Sequence, residues 1–126
     1  MKIAALFKTS LFFIFCLWMN LSFGQEAKIA KLNNQEQFVK SKEIGDFVFK
    51  VAGLTSEQVS KLASYYTVYF SASYSEKTEE ISIKMIQSDA LGRRVILRLF
   101  SALDIQHIEL DGKMYLNSDF YDNFLQ

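Results

Sequence analysis

One short N-terminal segment removes a whole class of folds from consideration. Lys2 and Lys8 form a small positive region, an apolar run extends from Leu11 to Phe23, and Ser22-Phe23-Gly24 closes it with small residues at the −3 and −1 positions before Gln25. That is the layout of a secretory signal peptide cleaved after Gly24. The competing reading is an uncleaved anchor. A spanning helix needs about 20 predominantly apolar residues, whereas this run is shorter, is broken by Asn20 and has no basic cluster after it. Cys16 is not a lipidation site, because Phe13-Ile14-Phe15 lacks the small residue needed beside it. The segment contains the single Cys (Cys16) and the single Trp (Trp18) of the chain. A small exported domain often relies on disulfides; residues 25–126 have no cysteine and must be held by packing alone.

Without Lys2 and Lys8 the remainder carries 12 basic and 14 acidic residues. That near-neutral balance lacks the basic footprint of a nucleic-acid binder. About 100 residues suffice for one domain with an ordinary core. The expected organisation is a signal peptide over 1–24, a polar lead-in over 25–46 with one short helix near Gln35 to Lys42, and a folded domain over 47–126. The expected location is secreted or periplasmic, with no stable membrane span after cleavage.

From Phe47 the apolar pattern is strong. Phe47, Phe49 and Val51 alternate with Val48 and Lys50, the period of a half-buried strand. Gly53 breaks it, Thr55 and Gln58 make a capping box, and Val59, Leu62, Ala63 and Tyr66 set a helix over 56–66. Val68, Phe70, Ala72 and Tyr74 predict a second strand, a polar turn follows, and Ile81, Ile83 and Met85 predict a third, antiparallel to it. Ser88 is the expected cap of a second helix. On that helix Leu91, Val95, Ile96, Leu99, Ala102 and Leu103 form a buried arc and Arg93, Arg94 and Arg98 lie outside it. Ile108 and Leu110 mark a fourth strand. Asp111-Gly112 is a tight-hairpin signal, needing positive φ at both positions, with Lys113 to Leu116 returning. Ser118 starts a last short turn with Phe120, Tyr121 and Phe124. The order βαββαβ predicts an α+β, ferredoxin-like split βαβ antiparallel sheet with two helices on one face, plus a small C-terminal hairpin.

Gly53-Leu54-Thr55-Ser56-Glu57-Gln58-Val59, between first strand and first helix, resembles the GMTCxxC loop of heavy-metal-associated domains, small ferredoxin-like modules of copper chaperones and metal-pumping ATPases. The resemblance covers about two-thirds of residues 25–126. It implies a soft-metal loop, but the family's cysteine positions are Ser56 and Val59 here, and neither is a soft donor. A plainer reading of the same residues is a glycine turn followed by helix capping from Thr55 and Ser56.

Other chemistry is thin. His107 is the lone histidine; Met85 and Met114 beside it read as core filler rather than a copper site. No cofactor is expected. Two surfaces remain: the arginine row Arg93, Arg94 and Arg98, suited to an acidic partner, and the open sheet face with Tyr69, suited to a partner protein or to self-association. The leading expectation is a non-enzymatic binding or structural module. The runner-up is a metal-handling domain with ligands other than cysteine, and an enzyme comes third.

Overall fold

A computed structural model describes residues 28–126; the expected signal peptide and its expected cleavage site lie outside the described residues. The order of elements is β1 (Lys28–Leu32), α1 (Gln35–Ile44), β2 (Asp46–Lys50), α2 (Ser56–Ala63), a 3-10 turn (Ser64–Tyr66), β3 (Phe70–Ser75), β4 (Glu80–Met85), α3 (Ala90–Ala102), β5 (Ile105–Leu110), β6 (Lys113–Leu116) and α4 (Asn117–Phe120), which runs on as a wide turn over Tyr121–Leu125. The fold is α+β around one mixed six-stranded sheet, ordered β3-β4-β2-β1-β5-β6. Among the described residues no helix is long and apolar enough to cross a membrane.

The pairings of β2 with β4 and of β3 with β4 are antiparallel, as the pattern from Phe47 onward predicts. The sheet is nevertheless neither four-stranded nor purely antiparallel. The expectation seats β5 directly beside β2, but β1 lies between them, antiparallel to β2 and parallel to β5. Its residues KIAKL fall in the stretch that composition marks as a lead-in. Only Ala30 is fully buried there, with Leu32 half-buried against the core, so the strand is held mainly by its ladders.

Alternation along the strands separates the two faces. Phe47, Phe49, Phe70, Tyr74, Ile81, Ile83, Ile105 and Ile108 enter the core with Val59 of α2 and Val95, Ile96, Leu99 and Phe100 of α3. Val48, Ser71, Ser73, Ser82 and Lys84 are exposed on the other face. Aromatic contacts tie the layers together: Phe49 meets Phe100 edge-on at 4.9 Å, and Phe38 of α1 meets Phe120 at 5.4 Å. Offset and edge-on ring pairs contribute beyond their buried area.

Helix α3 departs from its expected orientation in three residues: Leu91, Arg93 and Ala102, the last exposed in the helix's final turn. Leu91 is 62% exposed because it shares the i, i+3, i+7 row of Arg94 and Arg98, which faces away from the sheet. Arg93 shares the row of Ile96 and Phe100 instead and is only 8% exposed. The helix starts one residue later than expected: Asp89, not Ser88, caps it by accepting the Gly92 N–H at 2.7 Å. Ser88 donates its hydroxyl to the Lys42 carbonyl instead. The hairpin turn is as expected, with φ of 52° at Asp111 and 77° at Gly112.

Candidate functional site

The β2–α2 loop carries the local geometry its sequence implies. Gly53 has φ +84°, a left-handed conformation that favours glycine, and this lets the chain turn from strand into helix. Thr55 is extended and accepts the Gln58 N–H on its hydroxyl at 3.1 Å, while the Ser56 N–H donates to Glu76 Oε1 at 3.0 Å. Ser56 is exposed and Val59 is completely buried in the core. The two positions at cysteine spacing therefore do not share an outward pocket. Among the described residues no three His, Cys, Asp or Glu side chains gather at metal-binding distance.

The arginine row divides. Arg93 is an internal tie: its Nε donates to the Leu125 carbonyl at 2.6 Å and one terminal nitrogen donates to Ser88 Oγ at 3.2 Å. It is not part of the expected exposed surface, because the C-terminal segment closes over that side of α3. Lys42 adds a second tie, donating to the Gln126 carbonyl at 2.8 Å. These bonds, with buried Phe120 and Leu125, fix residues 117–126 alongside α3.

The ledge so formed leaves a groove of about 1040 Å³ between the outer row of α3 and the C-terminal segment. Arg94 and Arg98 line one wall; Asn117, Ser118, Tyr121 and Asp122 line the other; Tyr66 and Leu116 contribute apolar surface. Arg94 Cζ sits 5.6 Å from the centre of the Tyr121 ring, within cation–π range. Tyr121 Oη donates to the Ala90 carbonyl at 3.3 Å, which orients the ring. Neither arginine is within ion-pair distance of a carboxylate: the one ion pair among the described residues joins Lys31 and Glu109 at 3.9 Å, elsewhere on the molecule. Asn117 donates its amide to the Ile105 carbonyl at 2.7 Å, and its buried Oδ1 has no protein donor.

Tyr69 is not on the open sheet face. It precedes β3, half-buried against the core, with its N–H donated to the Tyr66 carbonyl at 2.9 Å and its carbonyl accepting from Ile86 at 3.0 Å. β3 begins at Phe70, so the alternation that includes Val68 and Tyr69 is cut short by the 3-10 turn before it. The open face is a shallow, serine-lined surface in which Ser71, Ser73, Ser82, Val48 and Lys84 border a depression of about 390 Å³. His107 is half-buried in β5 opposite Leu116, Met85 is buried, and Met114 is exposed on β6. Tyr121 and Asn117 are not among the candidates the sequence offers. Their only sequence signal was the aromatic cluster around Phe120, which says that a turn packs there but not that it forms a wall beside α3.

No family model, curated protein or solved structure matches the chain.

Proposed function

We propose that this chain is an exported, non-enzymatic binding module whose groove between α3 and the C-terminal segment receives an anionic protein segment. The observation that carries this is a pair of arginines, Arg94 and Arg98, one helical turn apart at the groove with no carboxylate paired to them, backed by Tyr66 and Tyr121. Exposed charge pairs contribute only about 0–1 kcal/mol each. Aromatic anchors and arginine carry most of the free energy at protein interfaces, and here the two types stand together. The open sheet face is the weaker candidate, since it presents serines where aromatic anchors were expected.

Titration with a glutamate-rich peptide, followed by the fluorescence of the tyrosines, tests the reading. Binding should be saturable, weaken with salt, and be lost in the Arg94→Glu, Arg98→Glu double variant. Tyr121→Ala should weaken it at unchanged charge. No binding by the native chain, or binding indifferent to both arginines, would overturn the proposal. Export belongs to the same reading and rests on residues 1–24: intact mass of the recovered protein should correspond to a chain starting at Gln25, and a full-length chain in the membrane fraction would replace this with the anchor reading.

We further infer a ferredoxin-like frame, β2-α2-β3-β4-α3-β5, into which β1 has been inserted between the first and last strands. A distant kinship with heavy-metal-associated domains, their thiolate site lost, goes with that frame. The left-handed turn at Gly53, the Thr55 cap and the antiparallel β2–β4 and β3–β4 pairs support it. Cysteine at positions 56 and 59 in homologues would strengthen the kinship; a broad set without it would remove the reason for it.

A further inference from the structure

The outer edge of β3 has hydrogen-bonding capacity that the fold leaves unused. β3 is the terminal strand of the sheet and pairs with β4 over its whole length without a register shift. The Ile86 N–H to Tyr69 carbonyl bond sets the alternation of the β3–β4 ladder, and the Met85 N–H to Gly45 carbonyl bond sets that of β4 toward β2. Together they direct the backbone groups of Ser71, Ser73 and Ser75 toward β4. Those of Phe70, Ala72 and Tyr74 therefore point outward, where no strand pairs with them among the described residues.

Sheet edges are ordinarily blunted by charge, proline, a bulge or shortness. The other edge, β6, is four residues long and opens with Lys113. β3 has none of these devices: its six residues, FSASYS, are uncharged and contain no proline. Its neighbours Tyr65, Val68 and Ile86 are exposed apolar side chains.

We propose that β3 pairs antiparallel with β3 of a second copy of this chain, joining two sheets into one about a two-fold axis at Ala72. The occupant follows from self-complementarity. With Ala72 opposite the partner's Ala72, Phe70 lies opposite the partner's Tyr74, and all three outward residues of each strand bond across, giving about six backbone hydrogen bonds. Shifting the axis to Ser71 or Ser73 leaves outward groups unbonded. In the favoured register Ser71 faces the partner's Ser73, and no like charges oppose one another along the strand. The two-fold also sets the α2 helices antiparallel, turning the Glu57 end of one toward the Lys61 end of the other. A six-residue edge buries less than the ~1,600 Å² of a standard interface, the size class of transient association.

Light scattering coupled to size exclusion, on the chain in the form the expressing cell makes, tests this across the micromolar range. The native protein should shift from monomer to twice its mass as concentration rises. Ala72→Pro removes an outward N–H without breaking the β4 ladder, since proline is tolerated at an edge. It should stay monomeric with unchanged far-UV circular dichroism. Ser71→Lys with Ser73→Lys, and separately Ser71→Glu with Ser73→Glu, should each be monomeric alone and form the double-mass species when mixed, because position 71 faces the partner's position 73. A native protein that stays monomeric, a dimer that survives Ala72→Pro in a folded chain, or oppositely charged variants that do not associate would each overturn the proposal.

Discussion

At Tyr74 a single phenol joins two strands and gives the molecule a measurable response to pH. Its Oη donates to the Val51 carbonyl at 2.7 Å, linking β3 to the end of β2. Burial raises its pKa above the ordinary 10.0, a backbone bond at Leu54 opposes the rise, and the charges of Glu79 and Glu76 add to it. A raised folded-state pKa means that the stability contributed by the neutral phenol is fully present below about pH 10, where the unfolded chain is also neutral. It is lost as pH rises through the folded-state value. Tyr74→Phe should cost about 1–3 kcal/mol at neutral pH by leaving the Val51 carbonyl without its donor. It should also flatten the alkaline limb of stability against pH, measured by urea midpoints between neutrality and the strongly alkaline range. Identical alkaline limbs would assign that loss to another group. Arg93 marks the limit of sequence reading at this scale. Its helical row was visible in the spacing of Ile96 and Phe100, but the segment that covers the row lies some thirty positions away, and no local pattern announces it.

The second scale is the element, where α3 gives the sharpest contrast. Leu99 and Leu91 are the same residue type on one helix, eight positions apart, yet one is completely buried and the other 62% exposed. Leu99→Ala should cost about 2–5 kcal/mol, the range for emptying a buried leucine site. Leu91→Ala should stay within about 0.5 kcal/mol, as surface changes do. Chemical denaturation of the two variants side by side checks the helix rotation, and equal losses would mean the rotation is wrong. Elements whose cause is local were legible from the residues. Asp111-Gly112 has the two positive φ angles its tight turn requires, and Thr55 caps α2 as its spacing with Gln58 implies. The start of α3 moved by one residue because Ser88 and Asp89 are both good caps, and the contact of Ser88 with Lys42 decided between them.

Across the whole molecule, β1 is the element that composition conceals. Its polar sequence gives no core signal, because a strand flanked on both edges by other strands is stabilised by backbone ladders that no local window displays. The sheet order makes it the bridge between β3-β4-β2 and β5-β6, and its parallel ladder with β5 extends from Lys28 to Leu32. Helix α1 then returns the chain to β2 and inserts Phe38 against Phe47 and Phe120. A chain started at Phe47, where the apolar alternation begins, would lose the bridge, Ala30 and Phe38 together. It would expose the facing edges of β2 and β5 and leave Phe120 without one of its ring contacts. Such a chain should fail to show a cooperative thermal transition by circular dichroism, whereas one started at Gln25 should melt in a single step. Supplying residues 25–46 as a separate peptide should restore part of the transition, since the missing interactions are ladders and ring contacts rather than covalent restraint. A cooperative melt from the chain started at Phe47 would instead show that the sheet closes without β1, with β5 moved against β2 into the four-stranded order first expected.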